Sequence, residues 1–209
     1  MALVSLIGTS TWTGSTSTVA LTNIKAGDVG IISTGYSTDM GNPTMTYDGE
    51  TCVTTQLLNT SKNGTEVEYS DIWWFAFPVG GNANFYIANT STAKTVMLSS
   101  WRNVDVNNIS YVGHYEITGT SSHYYDMVST PSPGGLFYVL LWGSYYTPSN
   151  GDATSIQTVE TPKNHYYRTS YKIGDGTEQT ITGGVSGSQF EMTGIRLDSY
   201  KSGAKYFLL

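Results

Sequence analysis

Charged side chains are scarce in this sequence. Asp, Glu, Lys and Arg make up 12% of its 209 residues, about half the share usual in globular proteins. Acidic residues outnumber basic ones, 16 to 10, which gives a formal net charge of −6, and no basic patch is present. Nucleic acids and anionic membrane surfaces bind through clustered Lys and Arg, so neither is expected as a partner. Aromatic residues reach 13%, which argues against disorder.

Cysteine and long apolar runs are equally sparse. Cys52 is the one cysteine, so no disulfide can form within the chain. We interpret it as a buried apolar thiol. No run of residues approaches the ~18 apolar side chains of a membrane-spanning helix. The apolar start, residues 1–7, lacks the basic region and long hydrophobic stretch of a secretory signal, so we expect a first strand there.

Motifs of catalytic or metal chemistry are missing as well. Residues 184–188 come nearest to a Gly-x-Ser-x-Gly nucleophile elbow but lack its last glycine. His114, His123 and His165 have no metal-binding spacing. The glycine-rich stretch 183–187 lacks the lysine and the helix of a phosphate-binding loop. The sequence therefore predicts a protein that is not an enzyme and that holds no cofactor and no metal.

Paired carboxylates leave one catalytic alternative open, because glycoside hydrolysis needs two of them beside the scissile bond. The candidate pairs are Glu66 with Glu68 and Glu116 with Glu191. Such spacing is common by accident, so a lectin-fold glycoside hydrolase is the least favoured hypothesis. Residues 175–178 (Asp-Gly-Thr-Glu) look like calcium ligands, but Asx-Gly is also what a tight hairpin requires, and a turn is the preferred interpretation.

Strand and turn residues are abundant. The 16 tyrosines and the many threonines favour strands, while Gly, Asn and Ser favour turns. Strand patterns recur about every ten residues. Thr95–Arg102 alternates along its length, and Leu136–Trp142 is so apolar that it is predicted to be a central strand covered on both faces. One helical turn is expected around Ser121–Asp126. The predicted fold class is all-β.

Several motifs occur twice at a constant offset. Phe77-Pro78-Val79-Gly80 matches Tyr171-Lys172-Ile173-Gly174. At the same offset, Ser99-Ser100-Trp101-Arg102 matches Thr193-Gly194-Ile195-Arg196. The first two segments share an aromatic residue, a β-branched apolar residue and a final glycine, and the second two share an apolar residue followed by arginine. These shared patterns indicate two related β units.

These units are expected to be two pseudo-repeated halves, at about residues 20–110 and 134–197, joined by a Pro/Gly crossover near 131–135. Each half alone would leave a sheet edge unpaired. We therefore predict one domain over residues 1–209, a single antiparallel β-sandwich that is jelly-roll-like.

Aromatic residues supply the candidate contact surface. Trp74 lies on the opposite face of its strand from three other aromatic residues. Tyr124-Tyr125 and Tyr145-Tyr146 are adjacent pairs, so at least one ring of each pair is expected to face away from the core. Ordinary packing, a subunit interface and a sugar platform are the three alternatives for these five residues.

The C-terminal residues Phe207, Leu208 and Leu209 complete the candidate set. Burying apolar side chains such as these is worth ~1.5–3 kcal/mol each at most. We expect this segment to pair with the apolar residues Leu3–Ile7, or to cover the sheet edge of a neighbouring subunit.

The order of several motifs resembles a known family. Residues 26–29 (Ala-Gly-Asp-Val) open an apolar strand, a turn follows at Asn42-Pro43, an aromatic strand ends near Gly80, and residues 101–105 read Trp-Arg-Asn-Val-Asp. This is similar to a β-sandwich module of tailed-phage virion proteins, in which an aromatic-Arg-Gly-Val-Asp turn follows a later strand. Asn103 stands where such modules often have Gly.

The resemblance implies a capsid decoration or cement protein, a head fibre or a tail-appendage tip. Because the sequence shows no shaft, decoration is the expected role. Arg102 and Arg196, at matching ends of the two repeats, are expected to pair with a carboxylate or with loop carbonyls.

The expected function is thus a non-enzymatic virion structural protein that binds a viral capsid or other virion proteins. A homo-oligomer is expected, with a trimer favoured. The protein would be made in the host cytoplasm without a signal peptide and would reside in the virion. The alternative is a carbohydrate-binding or receptor-binding tail-appendage domain, with a host glycan as its partner.

Overall fold

The computed structural model describes residues 2–13, 16–36, 43–61, 69–88, 94–117, 119, 121–160, 165–186 and 189–200. Across these ranges the chain has sixteen strands and no helix. Every strand pair is antiparallel. The predicted all-β antiparallel sandwich is confirmed. The helical turn expected around Ser121–Asp126 is wrong, because a strand begins at His123.

The strands of the described residues are, in chain order, β1 (Ser5–Thr13), β2 (Thr16–Ile24), β3 (Val29–Tyr36), β4 (Thr44–Tyr47), β5 (Glu50–Thr51), β6 (Thr54–Ser61), β7 (Tyr69–Ala76), β8 (Gly81–Ala88), β9 (Lys94–Arg102), β10 (Val104–Ile117), β11 (His123–Ser129), β12 (Leu136–Ser144), β13 (Thr154–Glu160), β14 (His165–Ile173), β15 (Gln179–Val185) and β16 (Phe190–Ser199).

Strands β1 to β9 form two facing sheets. Sheet A has the order β1-β9-β3-β7-β6, and sheet B has the order β2-β8-β4-β5. The chain passes from one sheet to the other at every connection except the β4–β5 and β6–β7 hairpins. When the β6–β7 hairpin is counted as one strand, this is the jelly-roll order of eight strands in two sheets.

Strands β10 to β16 follow the same order with one omission. Sheet C is β10-β16-β12-β14-β13 and sheet D is β11-β15. Sheet D thus corresponds to β2-β8 of sheet B, and the described part of the chain contains no counterparts of β4 and β5. An isolated bridge between Ser149 and Gly184 of β15 stands where β4 pairs with β8. Strand order alone does not establish residue-by-residue equivalence, so the sequence repeat stays a prediction.

The four sheets stack in the order B, A, C, D around three apolar cores. The first core lies between sheets B and A, and it includes Phe75 of β7 and Phe85 of β8, whose rings stack 5.3 Å apart. The central core lies between sheets A and C and includes Ile31, Trp101 and Tyr138. The third core, between sheets C and D, includes Phe137, Leu141, Ile181 and Met192. The structure thus has four sheets where the sequence suggested two.

Strands β3 and β12 explain this difference, because both are apolar on both faces. In β12 every residue from Leu136 to Ser144 is buried, which confirms the prediction of a doubly covered central strand. In β3, Ile31 enters the central core while Ile32 enters the first core. A two-sheet sandwich leaves one face of each sheet in water, so it cannot accommodate such strands.

The large sheets A and C meet face to face with their edges exchanged. β1 of sheet A lies against β13 of sheet C, and β6 lies against β10. At the first contact, Gln157 Nε2 donates to the Ser10 carbonyl at 3.0 Å. A two-fold axis between the sheets would give the same exchange.

The chain changes from sheet A to sheet C at Asn103. The predicted crossover at residues 131–135 is therefore wrong, because these residues connect β11 to β12 within the second half.

A polar contact crosses the otherwise apolar central core. Ser33 Oγ of β3 and Tyr138 Oη of β12 lie 2.9 Å apart, and both residues are buried. Trp101 Nε1 donates to Ser99 Oγ at 2.8 Å beside them. Burial raises the pKa of Tyr138 to about 12. Since buried hydroxyls cost free energy when unpaired, this contact fixes the alignment of sheet A on sheet C.

The predicted pairing of Arg102 is confirmed. Its Nε and Nη2 donate to the buried carboxylate of Asp28 at 3.1 and 2.8 Å, and Nη2 also donates to the Asn23 carbonyl at 2.6 Å. The hydrogen bond to Asp28 raises the pKa of Arg102. Asn103 follows with φ of 65°, a left-handed conformation that Asn tolerates in place of Gly. Arg196 Nε lies 3.4 Å from Asp198, so it too faces a carboxylate.

Replacing Tyr138 by Phe tests the polar contact in the central core. The change leaves the Ser33 hydroxyl buried without this partner, so we expect the free energy of unfolding to fall by about 1–3 kcal/mol in urea titrations. The double variant Ser33→Ala/Tyr138→Phe removes the stranded hydroxyl and should be more stable than Tyr138→Phe. A double variant that is less stable than Tyr138→Phe would contradict the contact.

Cys52 is buried beside Met45 in the first core, in agreement with the sequence. Burial raises the pKa of its thiol to about 12, so the folded thiol stays protonated at mildly alkaline pH. Because the thiolate is the reacting species, we expect no labelling by a disulfide reagent in the native protein and rapid labelling in guanidinium chloride. Rapid labelling under native conditions would show that the first core is open.

Candidate functional site

Three tyrosines stand out on the surface. Tyr124, Tyr145 and Tyr146 expose 64%, 65% and 54% of their surface. They are the most exposed aromatic side chains among the described residues, and we call them the tyrosine ridge. Tyrosine carries an apolar ring and a polar hydroxyl, so it suits contacts with proteins and with sugars.

Backbone pairing brings the ridge together at one end of sheet D. Tyr124 of β11 pairs with Gly184 of β15, where a Cβ would overlap the Tyr124 ring. Ser149 bridges to the same glycine from the other side. The chain just before Ser149 lies over β12, since a Cβ on Gly143 would come within 2.7 Å of the Tyr146 carbonyl. The three rings therefore project from neighbouring segments.

Two of the predicted surface aromatics face cores instead. Trp74 does lie opposite the other aromatics of its strand, as predicted, but that face of sheet A packs against the central core. Tyr125 stacks on Tyr115 with ring centroids 3.9 Å apart and packs against the third core. The expectation of an outward Trp74 is wrong because sheet A is covered on both sides.

The remaining predicted residues lie outside the described part of the chain. Phe207, Leu208 and Leu209 belong to residues 201–209, and Glu66 and Glu68 belong to residues 62–68. Their predicted roles stay predictions.

The second carboxylate pair is brought together with a histidine. Glu116 of β10 and Glu191 of β16 are directly opposite each other in register. His114 Nε2 lies 3.9 Å from Glu116, and His114 Nδ1 lies 3.7 Å from Glu191 and 3.0 Å from Thr193 Oγ1. Carboxylates directly opposite in a sheet repel each other, and a protonated His114 would offset that repulsion. The Glu191 side chain is only 6% exposed, so little of this carboxylate is accessible to a ligand.

A polar shelf lies on the D-facing side of β13 and β14, beside the tyrosine ridge. It consists of Asn150, Thr158, Tyr166 and Arg168. Arg168 is opposite Leu141 in register, and Leu141 belongs to the third core, so both face the side of sheet D. Arg168 Nε donates to Thr158 Oγ1 and Arg168 Nη1 donates to Asn150 Oδ1, each at 3.1 Å. Burial lowers the pKa of Arg168.

The acidic loops are satisfied internally. Asp175 accepts from the Thr177 backbone and hydroxyl at 2.8 and 2.6 Å, and these bonds lower the pKa of Asp175. Asp152 pairs with Lys172 at 2.6 Å. Within the described ranges, no group of three or more His, Cys, Asp and Glu side chains could hold a metal ion. The preferred interpretation of residues 175–178 as a turn agrees with this geometry.

Sequence reasoning missed Arg168 as a candidate. A signal was present, because β7 of the first half carries Trp73 and Phe75 on its sheet-B face, whereas β14 of the second half carries Arg168 and Ser170 on the matching face. A polar residue in place of an apolar one indicates a sheet face that no other sheet packs against. This signal is recognisable only when the correspondence between β7 and β14 is known.

Comparison with known proteins gives no assignment for this chain: no family model, no curated protein and no solved structure matches it. Among the described residues, no helix has the length and apolar character needed to cross a membrane.

Adjacent tyrosines test the placement of the ridge. Tyr124→Ala removes an exposed ring, so we expect the free energy of unfolding to change by about 1 kcal/mol or less. Tyr125→Ala removes a ring stacked on Tyr115 beside the third core and should cost about 2–4 kcal/mol. Equal losses for the two variants in denaturant titrations would contradict the alternation of β11.

Proposed function

We propose that this protein is a non-enzymatic structural component of a tailed-phage virion, a capsid decoration, cement or head-fibre protein. The observation that carries the proposal is the jelly-roll strand order, present in full in sheets A and B and again, shortened, in sheets C and D. Jelly rolls are widespread in viral capsid proteins and in lectins. The phage module that the sequence resembles has the same all-β character.

The physical construction suits a structural role. Three buried cores stabilise the chain without a disulfide, since Cys52 is free. The charge-poor surface carries the tyrosine ridge at the outer end of the stack. Interfaces are enriched in Tyr and depleted in Lys and Glu, so the ridge is the surface we assign to the capsid contact. A homo-oligomer, with a trimer favoured, would present several ridges at once.

The geometry of Glu116 and Glu191 does not suit glycoside hydrolysis. A glycosidase needs two carboxylates that flank a sugar linkage in an open cleft. Glu191 is buried beside His114 and Thr193, so a sugar ring does not fit between the two carboxylates.

Labelling of virions tests the proposed role. We expect antibody-gold against the protein to decorate the heads of virions from the phage that encodes it. The double variant Tyr145→Ala/Tyr146→Ala should be lost from heads, because it removes two rings of the ridge. Tyr86→Ala is the matched control, since Tyr86 is an exposed tyrosine of sheet B, at the other end of the stack.

Unlabelled virions would refute the virion assignment, and label confined to the tail would refute capsid decoration. Incorporation of the Tyr145→Ala/Tyr146→Ala variant at the wild-type level would refute the ridge as the contact. Light scattering of the purified protein should give the mass of a trimer, and a strict monomer would refute the proposed oligomer.

Carbohydrate or receptor binding by a tail-appendage domain is the second candidate function. One observation favours it, which is that the exposed tyrosines border a shelf of hydroxyl, amide and guanidinium groups. A tail location in the labelling experiment together with binding on a glycan array would support this function over decoration.

A further inference from the structure

The strand order of the two halves differs where β4 and β5 have no counterpart among the described residues, and the sheet face at that place is polar. In the first half, Trp73 and Phe75 of β7 are covered by Met45 and Tyr47 of β4. Within the described residues, the second half has no strand in the position of β4 and β5, and only the bridge at Ser149 lies there. The matching face of β14 would be apolar if it were buried in the same way. Instead it carries Arg168 among polar neighbours.

Arg168 is a half-buried cation without a carboxylate partner among the described residues. Its contacts are Thr158 Oγ1 and Asn150 Oδ1, which occupy Nε and one proton of Nη1. Its Nη2 group therefore has no acceptor in that part of the chain. Buried charges are normally paired, and the desolvation that lowers the pKa of Arg168 is the cost that an anionic partner would offset.

The other charges of this face are already engaged. Lys172 donates to Asp152 and to the Thr180 carbonyl, each at 2.6 Å. Glu160 accepts a hydrogen bond from the Tyr166 hydroxyl, which raises the pKa of Tyr166. Arg168 is thus the cation of this face whose charge has no carboxylate partner among the described residues. Glu160 limits the charge that a ligand can carry at the Tyr166 end.

One aromatic residue of the shelf is a neighbour of Arg168. Tyr166 lies on the same face of β14 as Arg168, two residues away. Gly143 of β12 is opposite Tyr166 in register, and the Tyr146 backbone lies over Gly143. A ligand held by Arg168 therefore lies close to Tyr166, to the amide oxygen of Asn150 and to the hydroxyl of Thr158.

We propose that the polar shelf binds a saccharide that carries a carboxylate, such as a uronic or sialic acid residue. The free edge of the Arg168 guanidinium, formed by Nη1 and Nη2, donates two hydrogen bonds to the carboxylate, as arginine does with planar anions. Tyr166 contacts the sugar ring. Thr158 Oγ1 and the remaining lone pair of Asn150 Oδ1 pair with its hydroxyls, since the Asn150 Nδ2 group already donates to the Ala153 carbonyl and to Ser170 Oγ. A face rich in hydroxyl and amide groups suits a hydroxylated ligand better than the apolar surface of a protein partner. The site is separate from the capsid contact assigned above.

Matched ligands test this site in calorimetry on the intact chain. We expect tri-galacturonate to bind and its methyl ester, which lacks the charge, to bind at least about tenfold more weakly. The same order should hold for sialyllactose over lactose, and salt should weaken the binding of the acids. Arg168→Lys keeps the charge but loses the fork, so its affinity should fall by about tenfold or more.

Arg196→Lys is the control, because Arg196 already faces a carboxylate of its own chain, and it should leave the affinity unchanged. Thr158→Val is a second variant for the case that Arg168→Lys impairs folding. Thr158 is exposed, and its loss removes the hydrogen bond that holds the Arg168 side chain, so this variant should also weaken binding. Capsid attachment is measured separately, by labelling of virions. A variant that loses saccharide binding but still attaches to the capsid therefore reports on the polar shelf alone.

Four results would each overturn the proposal. The first is no binding of either acidic saccharide, and the second is equal binding of acid and ester. The third is unchanged affinity in the folded Arg168→Lys protein. The fourth is binding of acetate, inorganic phosphate or an acidic peptide as tightly as the saccharides, which would indicate a plain anion site or a protein partner.

Discussion

Strands β3 and β12 have no face left for solvent, and the arrangement of the other strands follows from that constraint. Each lies in the middle of a five-stranded sheet and carries apolar side chains on both sides. Sheets A and C must therefore pack on each other and must each be covered again from outside. Sheets B and D provide that cover. The buried pair Ser33 and Tyr138 then restricts how the two central sheets align, because sliding either sheet would strand a hydroxyl.

The outer sheets show where the protein has freedom to vary. Sheet B has four strands and covers an apolar face, while sheet D has two and leaves part of sheet C to the loop around Asn150. Among the described residues, the face of β14 that lacks a covering strand carries Arg168, whereas the matching face of β7 carries aromatic residues. This difference creates the border between the tyrosine ridge and the polar shelf. The two proposed contact regions thus have one structural origin.

The sequence predicted the fold class and the buried strand β12 because both depend on local composition. It also predicted that Arg102 pairs with a carboxylate or with loop carbonyls, and Arg102 contacts both the Asp28 carboxylate and the Asn23 carbonyl. It did not predict β15, because the glycine-rich stretch 183–187 has no strand-favouring composition. A Cβ on Gly183 would come within 2.7 Å of Leu141, so packing between sheets C and D requires a glycine there. Trp74 was misplaced for a related reason. Alternation gives the two faces of a strand but does not reveal that both faces are covered.

Correspondence between the halves shows the same limit. The repeat in the sequence aligned Trp101 with Ile195. In the structure, Trp101 is opposite Val29, the first residue of β3, and Leu197 is opposite Leu136, the first residue of β12. Strand pairing therefore makes Leu197 the counterpart of Trp101. All of these side chains enter the central core, so the shift by two residues preserved the face. Polarity patterns detect the face of a strand, but register depends on bulges and long-range pairing that a sequence does not display.

Native-state hydrogen exchange is the most direct test of the central core as the joint between the halves. The account predicts that amides of β3 and β12 exchange only by global unfolding, with one shared free energy equal to that from denaturant titration. Amides of sheets B and D should exchange at lower free energies. Exchange of β12 at a clearly lower free energy than β3 would show that the halves unfold separately, and it would contradict the account.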